Sequence, residues 1–123
     1  MTNAEFNQQL QERILNFAVR TFKFMKTIPN VDGKRVVTYQ LSKSCTSVGA
    51  NFRAFCRGRS KNEKFAKICI VTEEVDESEY WLTFIKRMEW GEKQELDVLL
   101  KEVDELIRII VSIKNSLYPS RKK

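Results

Sequence analysis

Residues 93–117 read KQELDVLLKEVDELIRIIVSIKNSL, and they decide the fold class. Leu96, Leu99, Val103, Leu106, Ile110, Ile113 and Leu117 recur at alternating spacings of three and four. That rhythm keeps one face of an α-helix apolar throughout and makes a bundle or coiled-coil seam. Val98, Leu100, Ile107, Ile109 and Val111 add apolar surface off the seam.

Upstream, Ser60-Lys61-Asn62-Glu63 has the S-x-x-E pattern of a capping box. It predicts a helix over 60–89 that Gly91 ends. One stripe on it is Phe65, Ile68, Thr72, Val75 and Leu82; another is Ala66, Ile70, Trp81, Phe84 or Ile85, and Met88. A helix over 37–57 carries Leu41, Cys45, Val48, Phe52 and Phe55 at helical spacing. Gly58 follows it, where a left-handed residue would close the helix cheaply. Gly49 sits inside that helix at a cost of about 1 kcal/mol against Ala. Either the close approach of a neighbouring helix or a tolerated defect explains it. A first helix over 4–27 carries Leu10, Ile14, Phe17 and Phe24, with Leu15, Ala18, Phe22 and Met25 widening the stripe. Pro29 stops it, and Asp32-Gly33 marks a turn.

Four helices with short connections pack most simply as an all-α, up-down-up-down antiparallel four-helix bundle, a single domain over 1–123. A bundle helix needs about three apolar positions in seven, and the third and fourth helices exceed that. Their surplus, with Tyr80, Trp81 and Trp90, predicts a subunit interface and a homo-oligomer, ring-shaped if contacts are head-to-tail. Pro119 ends the fourth helix, and Arg121-Lys122-Lys123 form a basic tail.

Composition narrows the function by exclusion. Only 4 Gly and 2 Pro in 123 residues disfavour an all-β fold. No apolar run reaches the length of a membrane span, and the polar start MTNAEFNQQLQER is no signal peptide, so a cytoplasmic address without membrane contact is expected. Cys45, Cys56 and Cys69 form no CxxC pair and are an odd count, which fits neither a disulfide framework nor a zinc site. They read as small apolar core residues. The absence of histidine removes Ser-His-Asp and Cys-His catalysis and histidine metal ligation. Glycine-rich phosphate loops are missing as well. We expect no enzyme, cofactor or metal.

The net charge of +6 is uneven. Residues 1–67 hold 13 Lys/Arg against 4 Asp/Glu, while residues 68–123 hold 9 against 12. Such asymmetry favours an anionic partner, or subunits that meet basic face to acidic face. The cations concentrate in residues 53–65, RAFCRGRSKNEKF: Arg53, Arg57, Arg59, Lys61 and Lys64. Arg53 and Arg57 share a helix face near a C-terminus, where the helix dipole favours cations. Lys61 and Lys64 open the next helix, where the dipole favours anions, so they point to an external anion or an acidic neighbour. The five are candidate nucleic-acid contacts, with solvated charge or an intersubunit ion pair as the alternative. Phe52 and Phe55 fit the core better than a base-stacking role.

The acidic run Glu73, Glu74, Asp76, Glu77 and Glu79 lacks the histidines of a di-iron site. Glu79 lies on the line of Val75 and Leu82, so it is expected to turn inward and need a partner. Ser47, Asn51 or Arg53 would serve, which makes Ser47, Asn51 and Glu79 a candidate structural polar cluster.

Within Gln40–Ile85 the order Gln40-Leu41, Thr46-Ser47-Val48-Gly49-Ala50-Asn51, Arg57-Gly58-Arg59-Ser60-Lys61 and Glu77-Ser78-Glu79-Tyr80-Trp81-Leu82 resembles a known pattern. It is similar to the four-helix-bundle family encoded by intervening sequences in bacterial 23S ribosomal RNA genes. The resemblance implies ring-shaped pentamers with no established activity. It also implies similarity to the accessory protein of diversity-generating retroelements, which uses a basic ring surface for nucleic acid and associates with a reverse transcriptase. Two readings follow. One is a non-enzymatic oligomeric bundle that binds nucleic acid, RNA or DNA with RNA favoured, through a basic surface. The other is a protein-interaction scaffold whose charged faces close a ring or dock a partner protein.

Overall fold

Helix formation starts at Thr2. Its hydroxyl accepts the Glu5 backbone N–H at 3.0 Å, and the Glu5 carboxylate accepts the Thr2 N–H at 2.8 Å. This reciprocal cap satisfies two of the donors a helix start leaves open, and α1 runs from it over Asn3–Met25. The computed structural model describes residues 1–117. It adds α2 (Lys34–Cys56), α3 (Lys61–Arg87) and α4 (Lys93–Leu117), and there is no strand among the described residues. The basic tail Arg121-Lys122-Lys123 and the Pro119 stop lie outside them. No helix among the described residues is long and apolar enough to cross a membrane.

Cross-helix contacts fix the directions. Ile14 meets Gly49 and Met25 meets Ser42, so α1 and α2 run opposite ways. Arg13 reaches Glu102 while Arg20 reaches Glu95, which makes α4 antiparallel to α1. Neighbours in sequence are neighbours in space, α1 and α4 close the circle, and the two diagonal pairs do not pack on each other. That is up-down-up-down connectivity. The α2–α3 pair is the most extensive contact and α1–α4 the least.

The core repeats the 3-4 spacing on every helix: Leu10, Ile14, Phe17 and Phe24; Leu41, Cys45, Val48, Phe52 and Phe55; Ile68, Val71, Val75, Leu82 and Ile85; Leu96, Leu99, Val103, Leu106 and Ile110. Burial pushes the Cys45 thiol up to about 12 and raises that of Cys56 too, as expected of packing residues.

Several expectations are corrected. The seam of α3 runs through Val71 and Ser78, with Thr72 only half-buried. Ser78 is fully buried because its hydroxyl donates to Ser44 Oγ of α2 at 2.9 Å, and Ser44 donates to Leu41 O. A buried hydroxyl so paired costs little. Gly58 is not left-handed; the positive-φ glycines are Gly33 and Gly91. A Cβ on Gly58 would instead lie 2.8 Å from Lys64 Cγ. Trp90, expected at a subunit interface, is 8% exposed, edge-on to Phe84 and folded under the bundle's end. Trp81, Phe84, Leu100, Ile107 and Ile109 are partly buried against the core. Part of the surplus of α3 and α4 therefore thickens this bundle, while Ile70, Tyr80 and Val98 stay exposed, and a large part of the remaining exposed apolar surface lies on α1 and α2.

Candidate nucleic-acid interface

The α2–α3 joint resolves the five cations into two kinds. Lys64 is built into the fold. Its ammonium donates to Phe55 O at 3.0 Å and Cys56 O at 3.4 Å, and sits 4.9 Å from the Phe55 ring centroid. It adds a charged donor at the carbonyl end of α2, where Phe55 O also accepts the Gly58 N–H at 3.1 Å, and makes a cation–π contact. Gly58 lets its stem cross the turn. The placement of Lys64 against the α3 dipole is thus explained by the dipole of α2.

The start of α3 is satisfied internally as well. Ser60 Oγ accepts the Glu63 N–H at 3.1 Å, and Glu63 Oε1 accepts the Arg59 N–H at 2.7 Å. This differs from the expected box by one residue, since the carboxylate reaches past the cap to Arg59. Glu63 also supplies the negative charge that a helix N-terminus favours.

Arg53, Arg57, Arg59 and Lys61 remain. All four are exposed, and none forms an ion pair among the described residues. Other arginines contrast with them. Arg20 grips Glu95 through two bonds of 3.0 and 2.9 Å. Arg13 donates to Glu102 at 2.7 and 2.9 Å and also to Glu105. The hydrogen bonds to Glu102 raise the Arg13 pKa further above its ordinary value, against the opposing effect of burial. Arg108 pairs with Asp104 and Lys86 with Asp97. Arg35 and Arg87 also lack ion pairs among the described residues, so what sets the α2–α3 corner apart is the gathering of four unpaired cations over 53–61 with no carboxylate among them.

A groove adjoins this corner. It lies between α1 and α2, encloses about 380 Å³, and is lined in part by Gln8, Gln11, Leu15, Thr46, Gly49, Ala50 and Arg53. Thr46, Ala50, Arg53 and Arg57 are successive positions of one α2 face, so the groove and the basic corner share Arg53. A Cβ on Gly49 would meet Ile14 Cγ2 at 3.5 Å, ordinary contact, so the approach of α1 does not require glycine there.

The expected polar cluster assembles in part. Asn51 donates to Ser47 Oγ at 2.9 Å and to Ser47 O at 3.1 Å. The acidic residue near this pair is Glu74, which accepts a hydrogen bond from Ser47. Burial and then Glu77 raise the Glu74 pKa, against the attraction of Lys43. Glu79 is not brought to Ser47 and Asn51. It is half-buried, and its pKa is raised by burial first, then by Asp76 and by Asp104 of α4. The inward position on that turn of α3 belongs to Ser78. No three-residue group of His, Cys, Asp or Glu among the described residues is arranged to hold a metal ion.

One feature was not anticipated. Val19 and Phe22 on α1 are 44% and 43% exposed, and Val36 and Tyr39 on α2 are 64% and 61% exposed. With Leu15 they give the α1–α2 face an apolar half at the end away from Arg57. The signal was available, since Leu15, Val19 and Phe22 stand at i, i+4 and i+7 beside the core stripe.

A family model described as 23S rRNA-intervening sequence protein matches residues 7–112. Among solved structures the chain is similar to a protein of unknown function from the S23 ribosomal protein family of Bacteroides thetaiotaomicron. Sequence identity is 28% and the TM-score 0.79, with 89% of this chain and 97% of that chain covered. The comparison with curated proteins finds no match.

Proposed function

The chain belongs to the 23S rRNA-intervening sequence protein family, and from that premise we propose that it is a non-enzymatic, oligomeric bundle that binds nucleic acid, RNA in preference to DNA, at the α2–α3 corner. The observation that carries this reading is the set Arg53, Arg57, Arg59 and Lys61, exposed, without an internal ion pair among the described residues, and gathered over 53–61 with no carboxylate among them. The α2 dipole favours Arg53 and Arg57 but does not account for Arg59 or Lys61, and phosphate oxygens are the partners that exposed guanidinium and ammonium groups suit.

Binding of this kind reads charge more than sequence and releases counterions. Four phosphate contacts to a single strand predict about a 50-fold loss of affinity between about 50 and about 200 mM salt. Labelled RNA and DNA titrated at both salt concentrations test this, with the parent and with Arg57→Glu/Arg59→Glu/Lys61→Glu combined. A steep salt slope that the triple variant flattens supports the reading. No binding by the parent, or unchanged binding by the variant, overturns it.

The oligomeric part is supported by the exposed Val19, Phe22, Val36 and Tyr39, an apolar surface suited to protein contact. The pentamer number comes from the family resemblance. The same surface favours the second reading, a scaffold that docks a partner protein there. Light scattering separates the two: a multimer that Phe22→Glu dissociates supports self-association, and a strictly monomeric parent leaves only the scaffold.

A further inference from the structure

We infer that the α1–α2 groove receives an unpaired base of the bound strand, so that the protein selects single-stranded over duplex RNA. The inference rests on the nucleic-acid reading above and deepens it. The groove and the basic corner are continuous, because Arg53 lines the one and belongs to the other. A strand whose phosphates lie along Arg57, Arg59 and Lys61 therefore passes the mouth of the groove.

The volume and lining suit a base. About 380 Å³ is an order of magnitude more than the roughly 30 Å³ share of one water. Leu15 and Ala18 of α1 face Gly49 and Ala50 of α2 over a floor closed by Ile14, small or aliphatic surfaces against which a planar ring can lie. Gln8, Gln11 and Thr46 add amide and hydroxyl groups that can both donate to and accept from a base edge. Glu12 adds an acceptor suited to an exocyclic amine. Duplex RNA keeps its bases stacked and paired, and only splayed bases of single strands can enter such a slot. The phosphate contacts serve both forms; the groove serves one.

The test compares a labelled oligouridylate with the same strand annealed to oligoadenylate, at low salt, on the parent and on two groove-filling variants. Ala50 and Thr46 are exposed, so Ala50→Leu and Thr46→Leu crowd the groove without entering the core. The parent should hold the single strand about tenfold more tightly than the duplex, as one well-seated base allows. Each variant should lose that preference while keeping the duplex affinity and salt slope. Equal affinity of the parent for both forms overturns the inference and leaves the phosphate reading standing. So does a preference that survives in both variants with helicity unchanged by circular dichroism. Binding of neither form overturns the nucleic-acid reading, and the base-insertion inference with it.

Discussion

At one end of the bundle α1 turns into α2 and α3 into α4; at the other, α2 turns into α3. Both ends use a lysine from the start of a helix to cap carbonyls behind it. Lys34 reaches Ile28 O at 2.6 Å, and Lys64 reaches Phe55 O at 3.0 Å. Beyond that they diverge. The first end is sealed by packing: Phe24, Ile28 and Trp90 are buried, and the Thr27 hydroxyl donates to Phe24 O and accepts the Glu92 N–H. Glu92 in turn accepts the Glu95 N–H and caps α4. The second end satisfies its backbone with Lys64, Ser60 and Glu63, and then carries four more cations over 53–61 with no carboxylate among them, whereas the unpaired Lys26, Arg35 and Arg87 of the first end are interspersed along the chain with Asp32, Glu89 and Glu92. The comparison separates charge that the fold uses from charge that it leaves over.

The largest expected effect falls at the sealed end. Gly91 has φ +82°, and a Cβ on it would come within 2.8 Å of the Phe24 ring. Left-handed strain and overpacking together should make Gly91→Ala cost about 3 kcal/mol in urea unfolding. A cost under about 1 kcal/mol would mean that this end yields and the contrast is overdrawn.

Lys64→Met keeps the stem and removes the ammonium. It should cost about 1 kcal/mol and leave the salt slope of RNA binding nearly unchanged. A variant as stable as the parent but deficient in RNA binding would return Lys64 to the binding surface and blur the division.

Between the ends, Glu79 tests the acidic run. Its pKa is raised, so the folded state holds this proton more tightly than the unfolded state. The contribution therefore favours folding at low pH and is lost as pH rises through the folded value. Glu79→Gln should gain about 0.3 kcal/mol at pH ~7 and nothing near pH ~4. Equal gains at both pH values would rule out charge as the cause.

The smallest effect on stability belongs to the leftover cations. Arg57→Ala/Arg59→Ala should unfold within about 0.5 kcal/mol of the parent. A larger loss would show that the fold uses these residues after all.

Much of the architecture is legible in residue spacing, because the apolar rows Leu96–Ile110 and Leu41–Phe55 repeat at the helical period and are buried along their length. Ser78 was not legible: a serine on a core line looks like a break until its partner Ser44, on another helix, is known. Gly58 hides its role for a related reason, since the atom that excludes a side chain there belongs to Lys64, six residues on. Trp90 looks like an interface residue in the sequence because nothing in its neighbourhood shows that the turn folds it inward. At the candidate site the sequence displays the cations but not which are already engaged, and that distinction sorts Lys64 from Arg59.

The seam between α1 and α4 has a consequence for how the molecule opens. It is the least extensive helix pairing, and its cross-links join residues 75 to 92 positions apart, Arg20 to Glu95 and Arg13 to Glu105. The other three pairings close across short turns, whereas this one must gather the chain's distant parts at a larger loop-closure cost. Half-exposed ion pairs weaken as salt screens them. Amide protons of α1 should therefore exchange with solvent sooner than those of α2 and α3, and sooner still in high salt. On that expectation the helix that walls the groove is the one that opens first, and ionic strength should govern access to the interior as well as the proposed hold on a strand outside it.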